Sequence, residues 1–274
     1  MGDKLEGILE HFSLRARVFQ NGLLCRSSNF DGNNGLGYLH VLRAGSLKIK
    51  IPGEPEHNLN QPSLFFTINP IAHYLYPEKS GADLVCASFD FNQGINNPLT
   101  HALPKAILLN LNETPSLNAS LQLLFFEAAD TVTGQQALLD RLIEVIIIQL
   151  LRELIHKEHI QTGLLAGLSE PKLAKAIIAM HKEPATPWTL DSLAKVAGMS
   201  RARFASKFRE IVGTTPGNYL IEWRIGVAQS LIRKGKSLES VAENTGYANA
   251  SALSRAFSAT VGVSPSKWKK HTDT

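Results

Sequence analysis

One pattern in the last third of the chain occurs twice. SLAKVAGMSRARFASKFREIVGTTP (192–216) returns as SVAENTGYANASALSRAFSATVGVSP (240–265). Ala194 corresponds to Ala242, Gly198 to Gly246, Phe208 to Phe257, Gly213 to Gly262 and Pro216 to Pro265, with one extra residue in the second turn. Self-similarity of this kind marks a repeated supersecondary unit. Each copy reads as a short helix, a tight turn bearing glycine, and a second helix, which is a helix-turn-helix. Small residues at Ala194 and Ala242 let the two helices cross closely. Phe204 and Phe208, then Leu253 and Phe257, recur at i, i+4 and anchor the second helix in a core. That leaves Ala202, Ala205, Ser206 and Arg209 facing outward in the first copy, and Ala250, Ser251, Ser254 and Arg255 in the second. Small and polar side chains with a few arginines let a helix lie deep in a major groove.

Between the copies, TPGNYLIEWRIGVAQSLIRK (215–234) has a wide apolar face from Tyr219, Leu220, Trp223, Ile225, Val227, Ala228, Leu231 and Ile232, so it should form one long bridging helix. A rigid bridge would let one chain engage two successive major-groove faces, about one turn or ~34 Å apart. Charge follows the same division. From Glu170 onward there are 16 Lys+Arg against 8 Asp+Glu (+8), whereas residues 1–169 hold 12 against 16 (−4), which together give the net +4. A basic module joined to an acidic one points to a polyanion, double-stranded DNA, as partner of the former.

The first part of the chain has a different grammar. LGYLHVL (36–42), SLKIKI (46–51), SLFFTI (63–68), AHYLY (72–76) and DLVCASFDF (83–91) are short strand-like runs, with loop chemistry in PGEPEHNLNQP. Such spacing indicates an all-β barrel or sandwich over about residues 20–112. Ser116–Asp130 and Gln135–His159 then read as two amphipathic helices, and the Gly/Thr/Ser-rich stretch ending at Ser169 as a linker over 163–169. The expected architecture is α+β in two domains: a sensor and dimerisation domain (1–162), that linker, and an all-α double helix-turn-helix domain (170–274). The very apolar LLDRLIEVIIIQLLRELI (138–155) carries Asp140, Arg141, Glu144, Gln149, Arg152 and Glu153 at helical intervals. It is therefore a buried or dimerising helix, not a membrane span. Its candidate homodimer seam is Leu138, Leu142, Val145, Ile146, Gln149, Arg152 and Glu153. No apolar N-terminal run with a basic flank suggests export, so a cytoplasmic location is expected.

AGMSRARFASKFREIVGTTPGNYLIEWRIGVAQSLI and VAENTGYANASALSRAFSATVGVSPSKWK resemble the AraC/XylS family of bacterial transcription regulators over about the last 100 residues. The resemblance implies promoter binding and contact with RNA polymerase, with recognition helices at Arg201–Val212 and Ala250–Val261. Carried over, Arg209, Arg255 and Ser251 are the base readers. Arg201, Arg203 and Lys207 are phosphate contacts, and Ala202, Ala205, Ser206, Asn249, Ala250 and Ser254 complete the DNA face. Small residues at reading positions favour methyl contacts and DNA shape. The stretch LGYLHVLRAGSLKIKIPG…QPSLFFTINPIAHYLYP…ADLVCASFDF, followed by NPLTHALPKAILL, is similar to the cupin-type sensor domain of a subgroup that contains reactive-chlorine-responsive activators. Enzymatic cupins need two histidines one residue apart and then a glutamate. YLHVLRAG has one histidine and no such carboxylate, so oxygenase or isomerase chemistry is not expected.

A regulator needs an input. The chain has two cysteines, Cys25 and Cys86, both in the sensor half. With His40 and His73 on neighbouring strands they could form a soft tetrahedral site for Zn2+. They could instead be a metal-free redox pair sensing an oxidant or electrophile, or two unrelated buried thiols. A further alternative is a small organic effector held inside the barrel by Tyr38, Phe65, Phe66, Tyr74 and Tyr76. A third alternative is an architectural DNA-binding protein with no signal input. His11, His57 and His159 carry no such expectation.

Overall fold

The computed structural model describes residues 3–91, 103–156 and 162–272. The helix end expected at His159 and the opening residues of NPLTHALPKAILL lie outside them. The described residues group into two compact units: 14–91 with 103–153, and 3–13 with 154–272. No helix among the described residues is long and apolar enough to cross a membrane.

The first unit is a seven-stranded antiparallel sheet. Its strands are β1 (Arg15–Leu24), β2 (Ser28–Phe30), β3 (Gly37–Lys50), β4 (His57–Leu59), β5 (Ser63–Thr67), β6 (His73–Asp90) and β7 (Ile107–Asn110), with the order β1-β6-β3-β5-β7. β2 adds to β6 and β4 to β3. Two pairs of strands expected to be separate are continuous. The runs at 36–42 and 46–51 are both β3, and those at 72–76 and 83–91 are both β6. Glycines that look like turn signals bend these strands instead of ending them. Gly45 and Gly81 both have positive φ, and a Cβ on Gly45 would lie 2.5 Å from the Gly81 carbonyl oxygen. Pairing shifts register around this point and resumes beyond it, as a bulge allows. The barrel also starts earlier than expected, at Arg15, because β1 alternates too weakly to stand out.

Helix α1 (Glu6–His11) precedes the sheet; α2 (Asn118–Ala129) and α3 (Gln135–His156) follow it. α3 covers the exposed edge of β1 with side chains. Asp140 accepts from the Val18 amide (2.7 Å), Glu144 accepts from the Ala16 amide (3.2 Å), and the Gln136 side-chain amide donates to the Val18 carbonyl (2.9 Å). An otherwise unpaired strand edge is thereby blunted. The apolar face of α3 is internal, so Leu142 and Ile146 of the expected dimer seam are buried within the unit. Leu138 and Val145 remain exposed, at 42% and 43%.

The second unit holds α4 (Leu164–Ser169), α5 (Pro171–Lys182), α6 (Leu190–Ala197), α7 (Arg201–Val212), α8 (Pro216–Arg233), α9 (Leu238–Thr245), α10 (Ala250–Val261) and α11 (Pro265–Thr272). The expected linker 163–169 is therefore a correction. It is the helix α4, whose residues Leu164 to Leu168 are all buried. Gly167 makes its packing possible, since a Cβ there would lie 2.7 Å from Ile177 and 2.8 Å from Val212. Thr189 and Ser192 form the capping box that starts α6.

The N-terminal segment, expected to belong to the sensor domain, packs on this helical unit. Leu5, Ile8 and Phe12 are buried. Phe12 and His11 lie edge-on to Trp223, with ring centroids 5.4 and 5.8 Å away. His181 stacks on the other side of this cluster, 3.6 Å from Trp223, and shares a 2.6 Å hydrogen bond with the Tyr219 hydroxyl. Hydrophobic burial carries the attachment; the exposed Glu6–Lys182 pair adds little. Nothing in the sequence of residues 3–13 names this partner, because packing faces are chosen between segments far apart in the chain.

Two outcomes follow for this unit, which contains all three tryptophans. Ile8→Ala should destabilise it by about 2–5 kcal/mol, measured by denaturant unfolding followed through tryptophan emission. Burial lowers the His181 pKa from 6.5 to about 3, with His11 adding to the effect. Between those values the unfolded chain holds a proton that the folded one does not. Stability is thus full above about pH 6.5 and falls as the pH drops toward 3, by up to about 1.4 kcal/mol per pH unit. His181→Phe should flatten that slope by this amount, whatever its uniform effect on stability.

Candidate nucleic-acid interface and sensor pocket

In both repeats the second helix is held the same way. Gly198 and Gly246 end α6 and α9 in the left-handed conformation, turning the chain into α7 and α10. Phe204, Phe208 and Val212 bury one face of α7; Leu253 and Phe257 bury that of α10. Each helix stops at another left-handed glycine, Gly213 or Gly262. α8 bridges the repeats, with Trp223, Ile225, Val227, Ala228 and Ile232 buried, so the two outward faces are carried on one packed scaffold.

Ala202, Arg203, Ser206 and Arg209 are exposed and Ala205 is half-buried; on α10, Ser251 and Arg255 are exposed, and Ala250 and Ser254 are half-buried. Three expected contacts have other partners. Lys207 is half-buried and binds the Glu170 carboxylate at 2.6 Å. Glu170 also caps α5 by accepting from the Lys172 and Leu173 amides. Lys207 therefore ties α7 to α5. Arg201 pairs with Asp191 at 3.2 Å, an exposed and weak contact that a phosphate can displace. Asn249 is the N-cap of α10, its side chain accepting from the Ala252 amide. Among the described residues, Arg203, Arg209 and Arg255 have no ion-pair partner. Positive charge is concentrated on α7, leaving α10 with Arg255 alone.

In the barrel, strand register decides which expected site residues meet. His40 lies directly across from Cys86, and Phe30 from His73. The bend in β6 brings His73 back to His40, with Nε2 atoms 2.9 Å apart. Both rings are buried. His73 Nδ1 lies 3.0 Å from the Ile71 carbonyl, which can only accept, so Nδ1 carries the proton. His73 Nε2 is then the acceptor and His40 Nε2 the donor, which leaves His40 Nδ1 as a buried acceptor without a partner in the described structure. Burial pushes both pKa values down, His40 well below 6.5 with help from its neighbour. Phe30 covers the pair, stacking on His73 at 4.6 Å and tilting over His40 at 5.1 Å.

Cys25 does not join this group. β1 pairs Gln20 with Cys86 but Leu24 with Ala82, so Cys25, just beyond the end of β1, is out of register with Cys86. Cys25 is exposed and Cys86 buried, and no disulfide joins them. Among the described residues no group of three or more His, Cys, Asp or Glu is arranged to hold a metal ion. The four expected zinc ligands thus do not form one site here; the sequence placed them on adjacent strands but could not fix their position along them. Burial also raises the Cys86 pKa well above 9.0, which disfavours the reactive thiolate.

The five aromatic residues expected to line one effector cavity are likewise divided. Phe65 faces His40 and His73, whereas its neighbour Phe66 points to the other side of the sheet and stacks on Phe89. Tyr74 and Tyr76 stack on each other, and Tyr76 is 40% exposed. A different cavity, of about 390 Å3, is lined by Phe19, Leu24, Phe30, Leu75 and Cys86, with Ser27, Ser28 and Asn29 at its side. Cys86 thus borders the cavity although its own surface is almost fully covered.

Two family models match the two parts of the chain. A cupin family model matches residues 3–156 and a helix-turn-helix domain model matches residues 193–271. An AraC-like transcription regulator of Streptomyces lividans is 38% identical over 136 residues, which cover 48% of this chain and 44% of that protein. The chain thus spans less than half of that relative's length. The RCS-specific HTH-type transcriptional activator RclR of Escherichia coli K12 is 28% identical over 237 residues, covering 84% of this chain and 83% of that one. ToxT of Vibrio cholerae shares 14% identity over 94% of both chains, with a TM-score of 0.42.

Loss of Arg209 should therefore weaken binding to duplex DNA and reduce the slope of log K against log salt by about 1, as expected for one lost phosphate or base contact. Lys207→Ala should leave that slope unchanged and lower thermal stability instead. Fluorescence anisotropy over a salt series, with thermal melts, separates the two. With a cupin domain leading and a double helix-turn-helix following, the chain belongs to the AraC-like DNA-binding transcriptional regulators with an N-terminal cupin domain.

Proposed function

We propose that this regulator is a transcriptional activator whose barrel responds to an oxidant or electrophile through Cys25 and Cys86, and that it acts at promoters together with RNA polymerase. The observation carrying the reading is the place of β1. It ends at the exposed Cys25, pairs along its length with the strand that bears Cys86, and is bonded on its free edge to α3. The RclR relative named as an RCS-specific activator supports the same input class. Cys25 is the accessible point of attack. Its oxidation to a sulfenic acid by a two-electron oxidant would add a polar group beside the strand, and condensation with the Cys86 thiol would require β1 to slide or peel. Either change acts on the Asp140, Glu144 and Gln136 contacts to α3.

The imidazole pair offers two nitrogens for a metal such as Zn2+, and Cys25 is not needed to hold it. Metal content of purified reduced protein should then be the same in the wild type and in Cys25→Ser. A small effector in the 390 Å3 cavity is the second reading, favoured by Cys86 at its wall. A homodimer through the exposed Leu138 and Val145 of α3 fits both readings.

The test is oxidant-dependent transcription from a responsive promoter. Cys25→Ser should abolish induction and Cys86→Ser should weaken it, with DNA binding by the reduced protein unchanged. Full induction in both variants would sink the thiol reading and leave the cavity effector.

A further inference from the structure

The two repeats differ at one matched pair of glycines. Gly198 and Gly246 occupy the same place, each ending the first helix of its repeat with a positive φ, 62° and 72°. A Cβ on Gly198 would meet nothing within 4 Å. A Cβ on Gly246 would lie 2.6 Å from the Ala185 carbonyl oxygen and 2.9 Å from Nη2 of Arg224. The turn of the second repeat is therefore in close contact with the loop between α5 and α6, which leads into the first repeat. Arg224 of α8 holds that loop. Its Nε donates to the Pro184 carbonyl at 2.7 Å, and its Nη2 to the Thr186 carbonyl at 2.9 Å. Its guanidinium also lies over the Tyr247 ring, 5.9 Å from the centroid. The loop is stiff on its own account. Pro184 and Pro187 restrict its backbone, and the Glu183 carbonyl accepts from the Thr186 amide and the Trp188 indole, at 3.1 and 2.9 Å.

We infer that Arg224 is a positioning residue that fixes the separation of the two recognition helices, and so sets the half-site spacing this regulator accepts. The bridging helix by itself does not do so. The first half of α8 serves the first repeat, with Tyr219 against Phe208 and His181. Its second half serves the other repeat, with Ile225, Ala228 and Ile232 in one core with Val241, Leu253 and Phe257. Arg224 stands at the changeover. Among the described residues neither α6 nor α7 packs extensively on α9 or α10. Two repeats joined only through one helix could rock about it. The clasp adds a second tie away from the helix axis, and two ties stop a rotation that one allows. Arginine suits the place, because its planar fork reaches two carbonyls while its face covers the tyrosine. Lysine presents a single point charge and cannot do both. On B-DNA each base pair moves a half-site by about 3.4 Å and roughly 35°. A rigid pair of reading faces converts that mismatch into lost affinity, whereas a rocking pair adapts to it. The inference rests on α7 and α10 reading one duplex, and contact of Arg224 with DNA is no part of it.

The test is a spacing series. A duplex selected by the wild-type full-length protein from a random pool is remade with one base pair inserted or deleted between its two footprinted half-sites. Affinities are read by fluorescence anisotropy. The wild type should lose about tenfold or more at either change. Arg224→Gln and Arg224→Lys should lose about threefold or less, whatever their affinity for the parent duplex. Gly246→Ala drives a methyl group into the Ala185 backbone and should flatten the series likewise. Gly198→Ala carries the same left-handed strain with free space around it, and should keep the wild-type ratio. General loss of stability lowers all affinities by a common factor, and a lost phosphate contact lowers the salt slope by about 1; neither flattens the series. Spacing ratios in Arg224→Gln equal to those of the wild type, or restored by Arg224→Lys, overturn the inference. A wild type indifferent to spacing overturns the reading of one duplex by both helices instead. The clasp itself then stands or falls on a DNA-free measurement. Nitroxides on Ser206→Cys and Ser251→Cys, in a Cys25→Ser background, should give a narrow distance distribution that Arg224→Gln broadens. Equal widths overturn the clasp.

Discussion

The antiparallel ladder between β3 and β6 governs the sensor half. These strands are 14 and 18 residues long, well beyond an ordinary strand. They remain paired by bending together where Gly45 and Gly81 meet back to back. The bend lets one strand contribute His73 before the barrel turns and Cys86 after it, so a single ladder builds both sides of the buried imidazole pair. Side chains in its central part are buried on both faces: Leu39, Val41, Ala87 and Phe89 on one, Leu42, Leu84 and Cys86 on the other.

The edge of this sheet is where it meets a helix through hydrogen bonds. Polar groups on α3 at positions 136, 140 and 144 recur every four residues and serve the backbone of β1. In an apolar helix such groups first read as evidence against a membrane span. Their structural use is more specific, because they satisfy the amides and carbonyl of an edge strand that would otherwise face water or another chain. A stripe of carboxylates and amides at i, i+4, i+8 on one helix is the signal that could have revealed it.

The helical unit shows how a repeat can be regular in shape and unequal in chemistry. The glycine turns, buried phenylalanines and terminal left-handed glycines match between copies. Their charges do not: α7 bears four basic residues, of which Lys207 is held by Glu170, and α10 bears one. Conserving the frame costs little in sequence terms, since a few small and aromatic positions define it. The outward positions are free to differ, and their partners are set by neighbouring helices that the repeat itself does not specify.

The sequence by itself determined the two-part architecture, the bounds of α7, α8 and α10, and the residues available on their outward faces. Those features depend on periodicity, capping and glycine placement within short windows, so local sequence is sufficient. Only the tertiary structure decided that residues 3–13 pack on Trp223 and His181, that 163–169 is a buried helix, and that the barrel starts at Arg15. It also decided that His40 meets His73 while Cys25 stands apart. Strand identity was legible, but a contact across a sheet depends on register and on where a long strand bends. A bulge of one or two residues changes both, and its glycines look in sequence like any other turn.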